Sequence, residues 1–580
     1  AVAAALPGGD PLTAALAAGE VPSPKMVAAA GQGVGLSPQL AIALLAGVLV
    51  LLGGFYALQV QRGALERTVS YSPDVLSQKA RDLVRQIGFD SVASDEAYGF
   101  AWDQDFLKYA GNHDKPVPDW TKTLAQRPAA LQFWYRQSPY PLTALSYHSD
   151  LLTPGVVDPT DPPPILSGMI GIQLDSQGRL LYLERIPDQQ QKPGQEKGET
   201  DWGVLFRSAG LDETTFQAAE PVRTWLATSD TRQAWTGVWP ESGRPLRVEA
   251  AALAGKPVAF ALISPWTVPD RTPEQSGTAT GQLIIIIAVS FAIIFGAWRM
   301  GRRNMKKGLG DRDGARRLAG WIAWVQMGLW LCDSHFNASI GTYGMVILAM
   351  STAVFYGFIV YVMYIALEPQ VRRRWPRTLI SWSAMLTGQW RDPIVGRDVL
   401  VGVLLGIGTL AISQAVDAVA LGATMSPHLG TVDVLQGFRS TVGTVFFSMP
   451  HGIRDTLTFS LLLFLLRAIL RNEIAAGAAL AIIFASAAAV GSAHPVIDAA
   501  EALVAYGLVA FLVWRFGLLA LGMFILSNSL AGQLQPTFHT GAWYFPNTIF
   551  LIACLVGLAV WGCYTSIGGQ KLWKTGLLED

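Results

Sequence analysis

The sequence predicts an α-helical multi-pass membrane bundle of about ten spans with an inserted α+β extracytoplasmic domain. Three observations carry the prediction. Only 15% of the residues are charged, against about a quarter in ordinary soluble domains, and 51% are hydrophobic. Apolar runs dominate residues 281–580, and one more stands alone at 40–60. Between them, residues 61–280 hold 21 Lys/Arg and 27 Asp/Glu, more than half of all the charges. Disordered, collagen-like and wholly soluble classes are excluded. The 43 basic residues balance the 43 acidic ones, so no basic face calls for a nucleic-acid partner.

The elements follow in order. Residues 1–38 are rich in Ala, Gly and Pro and lack the basic-then-apolar build of a signal peptide, so they read as a flexible cytoplasmic linker. The chain starts with Ala1, which reads as a cut inside a longer protein or at a processing site. Residues 39–60 form the first transmembrane helix, long enough for a bilayer at ~1.5 Å per residue.

Residues 61–280 read as the extracytoplasmic α+β domain. Residues 73–88 show helical spacing, with Val75, Leu76, Ala80, Leu83 and Val84 on one side. Alternating runs at 169–174 and 180–186 flank Asp175-Ser176-Gln177-Gly178, a hairpin signal. A second hairpin reads from 246–253 and 257–264 around Gly255-Lys256. The aromatic run 132–136 reads as a core strand, and 158–164 and 188–201 as exposed loops.

The multi-pass domain, 281–580, offers spans at 281–298, 318–338, 343–367, 399–421, 456–470, 474–491, 500–514, 516–531 and 546–566. Only Arg515 and Gly517 divide the 500–531 stretch, and one tilted helix there would make nine spans. Of the 21 Lys/Arg after residue 280, eight lie in 299–317 and six in 368–398. Arg467, Arg471, Arg515, Lys571 and Lys574 fall on the same side, and only Arg439 and Arg454 oppose them. This positive-inside pattern puts both termini and the basic loops 299–317 and 368–398 in the cytoplasm, with 61–280 outside. Arg62 and Arg67, just outside the first span, point the other way, but long domains translocate largely regardless of charge. Residues 375–390, with Trp375, Leu379, Trp382, Leu386 and Trp390 on one face, read either as an amphipathic helix on the membrane surface or as a connector packed on the bundle. Residues 430–449 are semi-polar and lie outside or re-enter the membrane.

Enzyme signatures are missing: there is no HExxH, GxSxG or GxxxxGK[ST] pattern. No enzyme activity and no cofactor is therefore expected within these residues. The three cysteines, Cys332, Cys554 and Cys563, suit neither a disulfide framework nor a zinc site. Asp103-Gln104-Asp105 could share a cation, but two carboxylates fall short of a calcium loop, and a solvated turn is the plainer reading.

Ionisable residues near membrane spans are functional candidates by default. Asp333, His335, Asp417 and His494 are the chosen set, as a ligand or ion path, and Asp333, His335 and His494 are the groups from which a metal site would be built. Asp455, Asp498, Glu501 and Glu473 accompany them. The plainer alternative is that such groups sit hydrated or paired at the interface. Glu473 has no acid pair nearby, which argues against an intramembrane metalloprotease.

Two stretches carry a family resemblance: AVAAALPGGDPLTAALAAGEVPSPKMVAAAG at 1–31, and ALEPQVRRRWPRTLISW with DPIVGRDVLVG at 366–382 and 392–402. They resemble the region after the catalytic domain in large bacterial membrane-bound serine/threonine protein kinases of the Acidobacteria type. The resemblance implies a cytoplasmic kinase domain ahead of residue 1, in cis or in trans, an inner-membrane location, and a sensor outside. The kinase itself is missing: there is no VAIK lysine, HRD loop or DFG. The expected function is thus the sensor and regulatory portion of a kinase-type signalling protein. A multi-pass transporter using Asp333, His335 and Asp417, or a membrane scaffold without ligand, is the alternative. Expected partners are the lipid bilayer, the kinase domain, an unknown extracytoplasmic ligand and a possible second copy of the chain.

Overall fold

A computed structural model describes residues 35–68, 71–89, 93–114, 119–190, 198–269, 278–422, 427–490 and 494–570, with isolated positions between 22 and 30 and at 271 and 492. It is a mostly helical molecule with one sheet domain. The domain lies between α1 (Pro38–Arg62) and α7 (Thr278–Lys306).

The domain contains α2 (Leu65–Thr68), α3 (Pro73–Gln86), α4 (Gln104–His113), α5 (Trp120–Ala125) and α6 (Gly203–Ser208). Its strands are β1 (Asp95–Trp102), β2 (Leu131–Ser138), β3 (Tyr147–His148), β4 (Thr153–Pro154), β5 (Ile170–Asp175), β6 (Leu180–Arg185), β7 (Gln217–Ala219), β8 (Thr231–Val238), β9 (Pro245–Leu253) and β10 (Lys256–Ile263). Eight strands form one antiparallel sheet in the order β1-β2-β5-β6-β10-β9-β8-β7, and β3 and β4 pair separately. Both expected hairpins are present. In the second, Ala254 (φ 50°) and Gly255 (φ 73°) take the left-handed conformations that a tight two-residue turn requires. Phe133 and Tyr135 of β2 are fully buried, so the aromatic run is core. The apolar side of α3, with Leu76, Ala80, Leu83 and Val84, packs into the same cluster. Asp103 is a helix cap: its carboxylate accepts the Phe106 N–H at 2.9 Å and the Gln132 side-chain amide at 3.1 Å.

The bundle comprises α1, α7, α8 (Arg312–Asp333), α9 (Ile340–Arg374), α10 (Ile380–Leu386), α11 (Pro393–Leu421), α12 (Phe438–Leu470), α13 (Glu473–Ala489), α14 (Pro495–Arg515), α15 (Leu518–Gly532) and α16 (Phe545–Ser566). Among the described residues, five helices are long and apolar enough to cross a membrane: 38–62, 340–374, 393–420, 495–515 and 545–566. Ten spans are not supported. The expected spans 318–338 and 456–470 fall on α8 and α12, which carry Arg316, Arg317 and Asp333, and Arg439, Arg454, Asp455 and Arg467. The apolar helices α13 and α15 have 17 and 15 residues. At ~1.5 Å per residue they reach only about 25 and 22 Å, short of a ~30 Å hydrocarbon core. The expected span 281–298 lies in α7, where several side chains are outside the described residues.

The 500–531 stretch is two helices. Gly517 turns the chain at φ 105°, where an added Cβ would meet the Thr378 carbonyl oxygen. Residues 375–390 form a 3-10 turn and the short α10. Leu379 and Trp382 are buried in the bundle core, so the connector reading holds and the surface-helix reading does not. Exposed apolar side chains line the outside of α7 and α9, including Phe291 and Ile294 (69% and 67% exposed) and Val354 and Phe358 (67% and 62%). An apolar belt of this kind suits contact with lipid.

Candidate functional site at the junction of sheet and bundle

Three local structures join the sheet domain to the bundle. The first is the β3–β4 hairpin. Its turn residues Ser149 and Leu152 have φ of 58° and 53°, which lets the loop present Asp150 and Leu151 to the helices. Leu151 is fully buried in the bundle's own core, and its carbonyl accepts the Gln326 side-chain amide at 2.7 Å. Tyr356 of α9 donates its hydroxyl to the Asp150 carbonyl. The Asp150 carboxylate accepts from Arg454 Nη1 at 2.7 Å and lies 3.1 Å from His451 Nε2. Hydrogen bonding from His451, then from Arg454, holds the Asp150 carboxyl well below the usual carboxylate range. Arg454 also reaches Asp455 at 2.8 Å.

The second joint is the α8–α9 loop. His335 Nε2 lies 2.8 Å from Asp95 Oδ1, and Asn337 donates to Asp95 Oδ2 at 3.0 Å. The His335 N–H donates to the Gly155 carbonyl at 2.8 Å. The third combines the segment before α12 with the loop before α16. The Trp102 indole N–H donates to the Gly430 carbonyl at 2.7 Å, and Phe100 stacks on Trp543 at 6.0 Å.

These joints enclose a cavity of about 610 Å³. Its wall combines β1 and β2, the loops after β3 and β4, the end of α8 and the start of α12. Asp333 and Asp433 line it; burial first, and then the charge of Asp433, lift the Asp333 carboxyl above its ordinary range, while Arg439 works the other way. Asp433 is exposed to solvent there. The Asp333 carboxylate sits against Gly443 of α12, in the space a Cβ would occupy. Glu96 also faces the cavity, but Arg81 Nε at 2.9 Å and the Tyr135 hydroxyl at 2.8 Å already satisfy it. These contacts, the Arg81 hydrogen bond first, lower its carboxyl.

At the opposite end of α9, the block 366–376 builds a buried joint. Pro369 has no N–H to give Ile365 four residues back. Asn304 Nδ2 takes that carbonyl instead, at 3.0 Å, and the Ala366 carbonyl at 3.1 Å. Glu368 accepts from Arg372 Nε at 2.6 Å, and Arg372 donates onward to the Leu309 carbonyl at 2.8 Å and the Pro22 carbonyl at 2.7 Å. Trp375 donates to Glu473 at 3.0 Å under the Arg467 guanidinium, which is 4.5 Å from its ring. The expected flexible linker lies mostly outside the described residues. The described positions that can be placed are packed: Val27 is fully buried in the bundle core.

The four candidate residues divide between two places. Asp333 and His335 reach the cavity wall together. Asp417 instead shares the ends of α11 and α14 with His494, Asp498 and Glu501, where Ser413 donates to Glu501 at 2.6 Å. A metal site built from Asp333, His335 and His494 is therefore not formed. Among the described residues no three His, Cys, Asp or Glu side chains are placed to hold a metal ion. Asp455 and Glu473 are ion-paired, to Arg454 and Arg467. Sequence reasoning passed over Asp95, Asp150 and Asp433. Asp433 lies in the semi-polar 430–449 segment, the one signal that could have drawn attention to it.

Comparison with known protein families, curated proteins and solved structures finds no match. The fold and this junction therefore stand on their own geometry.

Proposed function

We propose that this chain is the sensing and relay portion of a bacterial plasma-membrane signalling protein. In this reading the sheet domain lies outside the cell, both termini lie in the cytoplasm, and the output is a serine/threonine kinase acting in cis or in trans. The observation that carries it is the double attachment of α9. Tyr356 holds the inserted β3–β4 hairpin, while Arg372 of the same helix holds the N-terminal segment at Pro22. Sixteen residues of continuous helix separate them, about 24 Å. A rearrangement of the hairpin is thus offered a continuous helical path to the segment beside the proposed kinase. Relay needs an element whose two arrangements both sites bias. Pro369, with its carbonyl partner supplied by another helix, is where α9 can pivot.

The test uses the native membrane protein, captured through an antibody to residues 1–25 and assayed for autophosphorylation. The expected result is phosphate on a species containing this chain or bound to it, with a level that changes at least threefold in Asp150→Ala/Arg454→Ala. No phosphorylation, or none that responds to the double variant in a correctly folded protein, would overturn the reading. A transporter reading is favoured only by the acids at Asp417, Asp498 and Glu501. Its test is proton or solute flux in proteoliposomes, lost in Asp417→Asn.

A further inference from the structure

We propose that the 610 Å³ cavity between sheet and bundle binds an organic cation, an amine or ammonium group attached to an apolar body. The inference deepens the sensing reading and rests on it for its biological meaning, but not for its chemistry.

The size falls within the range of small-molecule sites, about 300–1,000 Å³. Its charge is lopsided. Asp333 and Asp433 both line it, and among the described residues neither carboxylate has a hydrogen-bond or ion-pair partner. The guanidinium in the wall, Arg439, directs its hydrogen bonds elsewhere, though its charge offsets part of that on Asp333, and His148 in the same wall acts likewise on Asp433. Arg439 donates to the Leu331 carbonyl at 2.9 and 3.1 Å and the Ser334 carbonyl at 2.5 Å, and lies 5.1 Å from the Phe336 ring. His335 is likewise spent on Asp95. The charge of Asp433 opposes ionisation of Asp333 in the same cavity, and a bound cation relieves that repulsion.

The rest of the wall selects the kind of cation. Tyr98, Phe100, Trp134 and Phe447 line the same space. Aromatic faces attract ammonium groups and pack against apolar bodies. A bare metal ion would need more oxygen ligands than two carboxylates supply, and no three ligating side chains converge among the described residues. The ammonium could arrive on a soluble amine or on a lipid headgroup, and the experiment separates the two.

The full chain is placed in nanodiscs of phosphatidylglycerol, which has no amine headgroup, and titrated with tryptamine. The control is 3-propylindole, in which a methyl group replaces the amine. The expected result is saturable tryptamine binding at least tenfold tighter than the control, and at least tenfold weaker in Asp333→Asn/Asp433→Asn. Replacing half the lipid with phosphatidylethanolamine assigns the source. A tenfold loss of apparent tryptamine affinity means the site takes a lipid headgroup, and no loss means a soluble amine; both support the proposal. Absence of saturable binding, or equal binding of the neutral control, would overturn it, and that comparison needs only the native protein. Binding unchanged in a folded double variant would overturn it too. Failure here leaves the phosphorylation test of the sensing reading standing. Tryptamine binding without a change in phosphorylation would instead sink the sensing reading alone.

Discussion

Leu151→Ala tests whether the inserted hairpin holds the sheet domain to the bundle. Leu151 is 0% exposed, although it belongs to a surface loop of the sheet domain, and its neighbours are bundle side chains. Truncation removes most of an isobutyl group from a packed site. Such changes cost about 2–5 kcal/mol, depending on how far the surroundings collapse. A value in the lower half of that range, about 3 kcal/mol, corresponds to a roughly 100-fold larger undocked population at ~1.4 kcal/mol per tenfold. The bonds to the loop backbone from Gln326 and Tyr356 remain, so the domain stays folded and only the docking equilibrium moves. A chain of this size with two cores does not unfold in one step, so a global melting temperature is a poor readout. Hydrogen exchange of the peptide covering 147–155 is the direct one. The expected result is exchange one to two orders of magnitude faster there, with β5, β6, β9 and β10 unchanged. Exchange within about threefold of the native protein would refute the idea that burial of Leu151 fastens the two parts.

Three further outcomes follow from named contacts. Arg372→Met leaves Glu368 buried without its partner and takes the donor from the Pro22 carbonyl; limited proteolysis should cut near residues 22–30 at least tenfold faster, and unchanged cleavage would remove the clamp. Gly443→Leu puts a side chain where the Asp333 carboxylate lies, so tryptamine binding should fall at least tenfold while the Trp102–Gly430 joint persists by hydrogen exchange. Glu96, whose carboxyl is lowered chiefly by Arg81, stabilises the sheet domain fully above its unfolded value of about 4.3, and that contribution is lost as pH falls through the lowered folded value; Glu96→Gln should therefore flatten the acid limb of the domain's stability profile below about pH 4 and leave an identical steepness only if the Arg81 pair contributes nothing.

Part of this molecule was legible from residue order alone. The polar block 61–280 between apolar runs, the two hairpins, the helix from residue 73 and the break at Gly517 all rest on local patterning and turn chemistry, which act within a few residues. The span count was not legible in this way. Hydropathy summed along the chain cannot tell a membrane-crossing helix from one such as α12, whose Arg454 is matched by Asp150 from outside the local window. The candidate site divided for the same reason. Asp333 and His335 share a cavity because they are near neighbours in sequence, but their companions Asp433, Glu96 and Asp95 come from distant elements. Residue order alone set the types of side chain that could bind or pair. Only the tertiary structure decided which carboxylates found a partner and which two were left facing a cavity, because that depends on pairings across 100 residues or more.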